Sequence, residues 1–136
     1  MKLDHIGIAV RSIDDSLGFY EGVLGVSHAA REVVADQGVT VALLPLGESR
    51  IELLEPLSDD TVVGKFIARR GEGFHHVCYE VDDLVQKLDE IKSRGMRLLD
   101  GYPRRGAEGK LVAFIHPASA GGVLVELVEK REEGEG

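Results

Sequence analysis

The segments Asp4-His5-Ile6-Gly7-Ile8-Ala9-Val10, near the start of the chain, and His75-His76-Val77-Cys78-Tyr79-Glu80-Val81, past its middle, carry one pattern. Each sets a histidine early in a strand-like run and is followed by apolar residues at helical spacing. The two halves also close alike, on Ile51-Glu52-Leu53-Leu54-Glu55 and Val125-Glu126-Leu127-Val128-Glu129, with an acid among strand-forming apolar residues. A duplicated unit that packs symmetrically brings two imidazoles and two carboxylates together. That donor set suits a divalent cation with open coordination positions, so the chain reads as a metalloenzyme.

The elements follow from the same repeat. Strands are predicted over Leu3–Val10 and Phe74–Val81, each leading into a helix. Ser12, with Asp15 three residues on, caps the first helix, whose stripe is Ile13, Leu17, Tyr20 and Leu24 and whose stop is Gly25. Asp82 or Asp83 caps the second, with Leu84, Leu88 and Ile91 as its stripe and Gly95 at its end. Three strands come next in each half: about 29–35, 39–45 and 50–55, then about 97–102, 110–116 and 122–130. Residues 60–71 read as a helical linker with Val63, Phe66 and Ile67 apolar. The fold class is α+β: two tandem βαβββ modules forming a cupped mixed sheet around a metal site. One domain spans 1–136, with modules over about 1–57 and 73–130, a linker at 58–72 and a flexible tail at 131–136.

Strand alternation decides where the polar groups point. Ile6, Ile8 and Val10 share the face turned to the helix, and His5, Gly7 and Ala9 share the other. In the second half Val77, Tyr79 and Val81 oppose His76, Cys78 and Glu80. Glu52 and Glu126 sit where an unpaired carboxylate is costly to bury, and a cation compensates both. A lone strand histidine is more often a hydrogen-bonded structural residue than a ligand; the recurrence of both residue types at both places changes that reading. His75 competes with His76, and alignment on the first half favours His76, leaving His75 on the helix side or hydrogen-bonded to neighbours. Glu55 and Glu129 fall on the opposite face and are expected to be exposed. Two imidazoles and two carboxylates fit Co²⁺, Mn²⁺, Ni²⁺ or Zn²⁺ better than Ca²⁺.

Bulk properties exclude other classes. A net charge of −8 argues against a nucleic-acid binder. No apolar run reaches the roughly 20 residues of a membrane span, and the N-terminus lacks the layout of a signal peptide. The single Cys78 allows neither an internal disulfide nor a cysteine-based zinc site, so a cytoplasmic protein is expected. A symmetric homodimer is the default for a small sheet protein.

These residues resemble the vicinal oxygen chelate superfamily, which also includes the glyoxalase, fosfomycin-resistance and dioxygenase families. The resemblance runs to about Lys130 and is carried by residues 3–10, 51–57, 73–83 and 116–127. Within it, the methylmalonyl-CoA epimerase family is the nearest match. The resemblance implies His5, His76 and Glu126 as metal ligands, with Glu52 where relatives have Gln or Glu, and Co²⁺ as the first candidate ion. It implies proton transfer at C2 of an acyl-CoA through a metal-stabilised enolate; Glu126 is the first candidate for one catalytic acid/base, and Glu52, with a bound water as competitor, the candidate for the other face. Some epimerases place a further glutamate on the strand after a Gln-Gly pair; here Val41 stands there, after Gln37-Gly38. Arg104, Arg105 and Lys110 are candidate contacts for CoA phosphates, and His116 and Ser119 candidate substrate neighbours. A glyoxalase I-type lyase and a metal-free binding protein are the rival readings, and the turn His116-Pro117-Ala118-Ser119-Ala120-Gly121-Gly122 departs from the glyoxalase pattern.

Overall fold

Capping residues and apolar alternation set the elements in the order the duplication implies. The computed structural model describes residues 1–28 and 30–130. Ala29, expected to open a strand, and the tail expected over 131–136 lie outside the described residues. Strand β1 (Lys2–Ala9) leads into helix α1 (Ile13–Leu17), which continues as π-helical winding over Gly18–Val23. Strands β2 (Ala30–Val34), β3 (Val39–Leu46) and β4 (Ser49–Pro56) follow, then helix α2 (Val62–Arg70). The second module repeats the series with β5 (Gly73–Val81), α3 (Leu84–Ser93), β6 (Arg104–Arg105), β7 (Leu111–Ile115) and β8 (Val125–Glu129). Two compact units result, one of His5–His75 and one that begins at His76 and takes in Met1–Asp4.

Each unit has the same mixed pairing. In the first, β3 runs antiparallel to β2 and β4, and β1 lies parallel to β4. In the second, β7 runs antiparallel to β6 and β8, and β5 lies parallel to β8. The helices pack on the apolar faces as expected. Ile13 of α1 joins Val10, Ala42, Leu44 and Leu53, and Leu84, Leu88 and Ile91 of α3 join Val81, Ala113 and Leu127. Each fully buried aliphatic side chain of this kind contributes roughly 1.5–3 kcal/mol.

Three details depart from the sequence reading. The π-helical winding turns the end of the first stripe outward, so Leu24 is 54% exposed and Val26 packs in its place. Instead of a strand over 97–102, the chain makes one isolated bridge, Leu98 to Ile115, and the short β6 beyond it. Gly101 at φ +81° and Pro103, which has no N–H to donate, interrupt the ladder there. The third departure concerns Glu55 and Glu129, expected to be exposed. Both are half-buried: Glu55 Oε1 accepts from the Ile13 N–H at 2.8 Å, and Glu129 Oε1 from the Leu84 N–H at 3.2 Å.

Those two carboxylates give each module helix a second acceptor at its start. Ser12 accepts from the Asp15 N–H and Asp83 from the Gln86 N–H, while the closing strand's acid takes the first N–H of each helix. The glutamates therefore tie strand to helix, and their negative charge also suits the positive helix end. In the linker helix Thr61 caps Gly64, where a Cβ would come within 2.5 Å of the Ser58 carbonyl oxygen. Glycine is needed there for close approach. Among the described residues no helix is long and apolar enough to cross a membrane.

Replacing either strand acid by alanine removes a charge-assisted bond to a helix start. Glu55→Ala and Glu129→Ala are each expected to lower unfolding free energy by about 1–2 kcal/mol, read as an earlier urea midpoint. Midpoints equal to that of the parent chain would contradict the capping role.

Candidate metal centre

Each unit buries one histidine beside one glutamate. In the first, parallel register sets Gly7 opposite Glu52 and His5 opposite Arg50. His5 and Glu52 therefore project from the same face of β1 and β4, and Gly7 and Ala9 leave room there. His5 Nδ1 stands 3.1 Å from Glu52 Oε2, and both side chains are buried. Arg50 adds a cation that the sequence reading missed. Its Nε donates to the same Glu52 oxygen at 2.8 Å, and its Nη2 also lies 2.8 Å away. The signal was present in the sequence: two residues before Glu52 on one strand, Arg50 shares its face.

The second unit repeats the pair. Register sets Cys78 opposite Glu126, and Glu126 opposite Phe114. His76 Nε2 lies 2.9 Å from Glu126 Oε1, and both groups are buried. Phe114 meets the His76 ring edge-on, with centroids 5.5 Å apart, and limits its tilt. His75 points to the other side and stacks edge-on against Phe66 of α2 at 4.9 Å. The helix-side position expected for His75 is thus the one it holds.

Burial is the chemical argument in both pairs. A buried carboxylate needs compensating charge, and a neutral imidazole supplies a hydrogen bond but no cation. Glu52 has Arg50, and Glu126 pairs with the His76 imidazole. His5, His76 and Glu126 are each buried and each offers a nitrogen or carboxylate oxygen suited to a borderline divalent ion. The donor chemistry fits a metal.

The other candidates are placed as follows. Val41 of β3 is opposite Leu54, so it shares the face of Glu52 without supplying an acid. Its partner on the next strand is Glu32 of β2, a half-buried carboxylate on that same face. Arg105 donates to the Gly109 carbonyl, and Lys110 pairs with Glu108 at 3.8 Å. His116 Nδ1 accepts from the Ala118 N–H and Ser119 Oγ from the Arg97 N–H, so both brace the turn before β8.

Residues 4–114 match the model of the glyoxalase/bleomycin resistance protein/dioxygenase superfamily. The chain belongs to that superfamily. An uncharacterised protein of Bacillus subtilis is 44% identical over 96% of this chain and 93% of its own. The ethylmalonyl-CoA/methylmalonyl-CoA epimerase of Cereibacter sphaeroides is 39% identical, over 93% of this chain and 96% of the relative. The crystal structure of methylmalonyl-CoA epimerase from Mycobacterium tuberculosis superposes with a TM-score of 0.91 at 38% identity, covering 97% of this chain and 89% of the other. Lactoylglutathione lyase of Neisseria meningitidis is more distant, at 23% identity over 96% of this chain and 92% of its own length.

Arg50 is expected to carry structural weight through Glu52. Arg50→Met leaves a buried carboxylate without its cation and should cost about 2–3 kcal/mol in chelator-treated protein, measured by urea unfolding. The double variant Arg50→Met/Glu52→Met should recover part of that loss. Full stability in the single variant would show that Glu52 does not depend on Arg50.

Proposed function

We propose that this protein is a metal-dependent epimerase that interconverts (2R)- and (2S)-methylmalonyl-CoA by moving the proton on C2. The observation that carries the reading is the repeated buried His–Glu pair, His5–Glu52 and His76–Glu126, in a chain whose relatives include named epimerases. The four residues are proposed as the ligand set of one divalent cation, with Co²⁺ first and Mn²⁺, Ni²⁺ or Zn²⁺ as alternatives. Such an ion supplies Lewis-acid charge at the carbonyl oxygen next to the reacting carbon.

The chain's own groups then divide the work. The C2 proton is acidified by the thioester on one side, and its removal and return on opposite faces inverts the centre. Glu126, paired with the His76 imidazole, is the proposed proton carrier for one face. Glu52 is held by two guanidinium nitrogens, which favour its charged form and weaken it as a base. Glu52, and Glu32 two strands away on the same face, are the carboxylates proposed for the second face. The apolar residues around each pair exclude water, which strengthens every charge interaction at the site. We further propose one domain over 1–136, a homodimeric assembly and a cytoplasmic location.

The lyase reading shares the scaffold and also moves a proton next to a carbonyl. It is less supported, because the relatives named as lyases are the distant ones and the turn before β8 lacks their pattern. The metal-free reading is disfavoured by the retention of both buried pairs.

The test uses metal-loaded protein and methylmalonyl-CoA in D₂O. Deuterium should enter C2 as the two epimers equilibrate, and chelation should stop both processes. Glu126→Gln should lower kcat by about 10²–10⁴-fold while metal content is kept; Glu52→Gln and Glu32→Gln identify the second group. Turnover of the methylglyoxal–glutathione adduct, with no exchange at C2 of the acyl-CoA, would overturn the proposal.

A further inference from the structure

The first unit places a fixed positive charge on the face that carries its His–Glu pair. Parallel register sets Arg50 of β4 beside His5 of β1, and antiparallel register sets it beside Pro45 of β3. Directly opposed residues share a face, so Arg50, His5, Glu52 and Gly7 all project to one side. Among the described residues of β1, β2, β3 and β4 on that side, Arg50 is the only arginine or lysine. The duplication does not repeat it: two residues before Glu126 stands Leu124. The modules therefore match in their His and Glu and differ in the residue that precedes the acid on its face.

Arg50 is engaged with the candidate ligand itself. Its Nε and Nη2 both lie 2.8 Å from Glu52 Oε2, and His5 Nδ1 stands 3.1 Å from that same atom. Three nitrogens thus converge on one carboxylate oxygen. The Glu52 side chain is 4% exposed and that of Arg50 20%, so salt and bulk water screen the pair weakly. A guanidinium keeps its charge at any working pH, and its planar fork fixes the orientation of the carboxylate. Held this way, Glu52 still has the chemistry of an oxygen donor, but its negative charge is already balanced.

We infer that Arg50 is a positioning residue that, through Glu52, sets the net charge of the metal centre. The inference rests on the proposed four-ligand epimerase site and deepens it. Two neutral imidazoles and two carboxylates around a divalent ion sum to zero, and Arg50 brings the total to one positive charge. A malonyl-type thioester arrives with a carboxylate, and removal of its C2 proton adds a second negative charge. A centre with net positive charge attracts that growing charge more strongly than a neutral one. The same guanidinium repels an incoming cation. Arg50 therefore weakens metal affinity and strengthens the hold on the enolate.

Two measurements that should move in opposite directions test this: calorimetric titration of chelator-treated protein with Co²⁺, and C2 exchange of methylmalonyl-CoA in D₂O by the loaded protein. Arg50→Gln should bind Co²⁺ about 10-fold tighter and exchange the C2 proton about 10- to 100-fold more slowly. Glu52→Gln, which leaves Arg50 unbalanced, should bind Co²⁺ at least about 10-fold more weakly. The double variant Arg50→Gln/Glu52→Gln restores the parent charge and should return Co²⁺ affinity to within about threefold of the parent. Arg50→Lys, which keeps the charge, should shift both readouts less than Arg50→Gln. If Arg50→Gln does not fold without metal, Glu52→Gln and the double variant carry the test. Loss of both affinity and exchange in Arg50→Gln would make Arg50 a structural support only, and a double variant no tighter than Glu52→Gln would show that charge is not what it supplies; either result overturns the inference. A parent chain that shows this affinity pattern yet fails to exchange the C2 proton would reject the epimerase reading and keep the charge-setting role, whereas a parent that binds no Co²⁺ would overturn both.

Discussion

The molecule is organised by the cost of placing a carboxylate among strand-forming apolar residues. Glu52 and Glu126 each sit in the closing strand of a module, beside the strand that carries the histidine. Neither position is a natural one for an acid, and the energy to keep it there comes from directed partners. Parallel pairing of β1 with β4 and of β5 with β8 aims His5 at Glu52 and His76 at Glu126. The remaining strands and helices hold those two pairings in register.

The same glutamate-rich closing strands do a second job on their other face. Three residues after each buried acid, Glu55 and Glu129 reach a helix start instead of a histidine. Odd spacing along a strand changes face, so one short segment bonds the helix on one side and the histidine on the other. Displacing either strand by one residue would exchange these roles and bury the wrong carboxylate. Register and site are therefore specified by the same residues.

Much of this was legible in the sequence. Duplication, alternation and capping patterns give both modules, the buried His and Glu of each, and the placement of His75 toward a helix. What escaped has identifiable physical causes. The π-helical winding after Leu17 shifts the apolar stripe off the regular helical period, which makes Leu24 look buried from periodicity alone. Charged residues such as Glu55 and Glu129 look solvated until a tertiary partner is known. The bonds of Glu55 and Glu129 span 42 and 45 residues, so no local pattern announces them. Arg104 and Arg105 are indistinguishable in sequence, and strand register alone separates them.

The claim with most resting on it is that both His–Glu pairs serve one cation. Titration of the chelator-treated protein with Co²⁺, followed by calorimetry and by the visible absorption of the bound ion, tests it most directly in the parent chain, His5→Ala and His76→Ala. A shared site gives one ion per chain, and either substitution weakens it by at least about 100-fold, because each removes a ligand of the same ion. Two ions per chain, or full affinity after loss of either histidine, would contradict it.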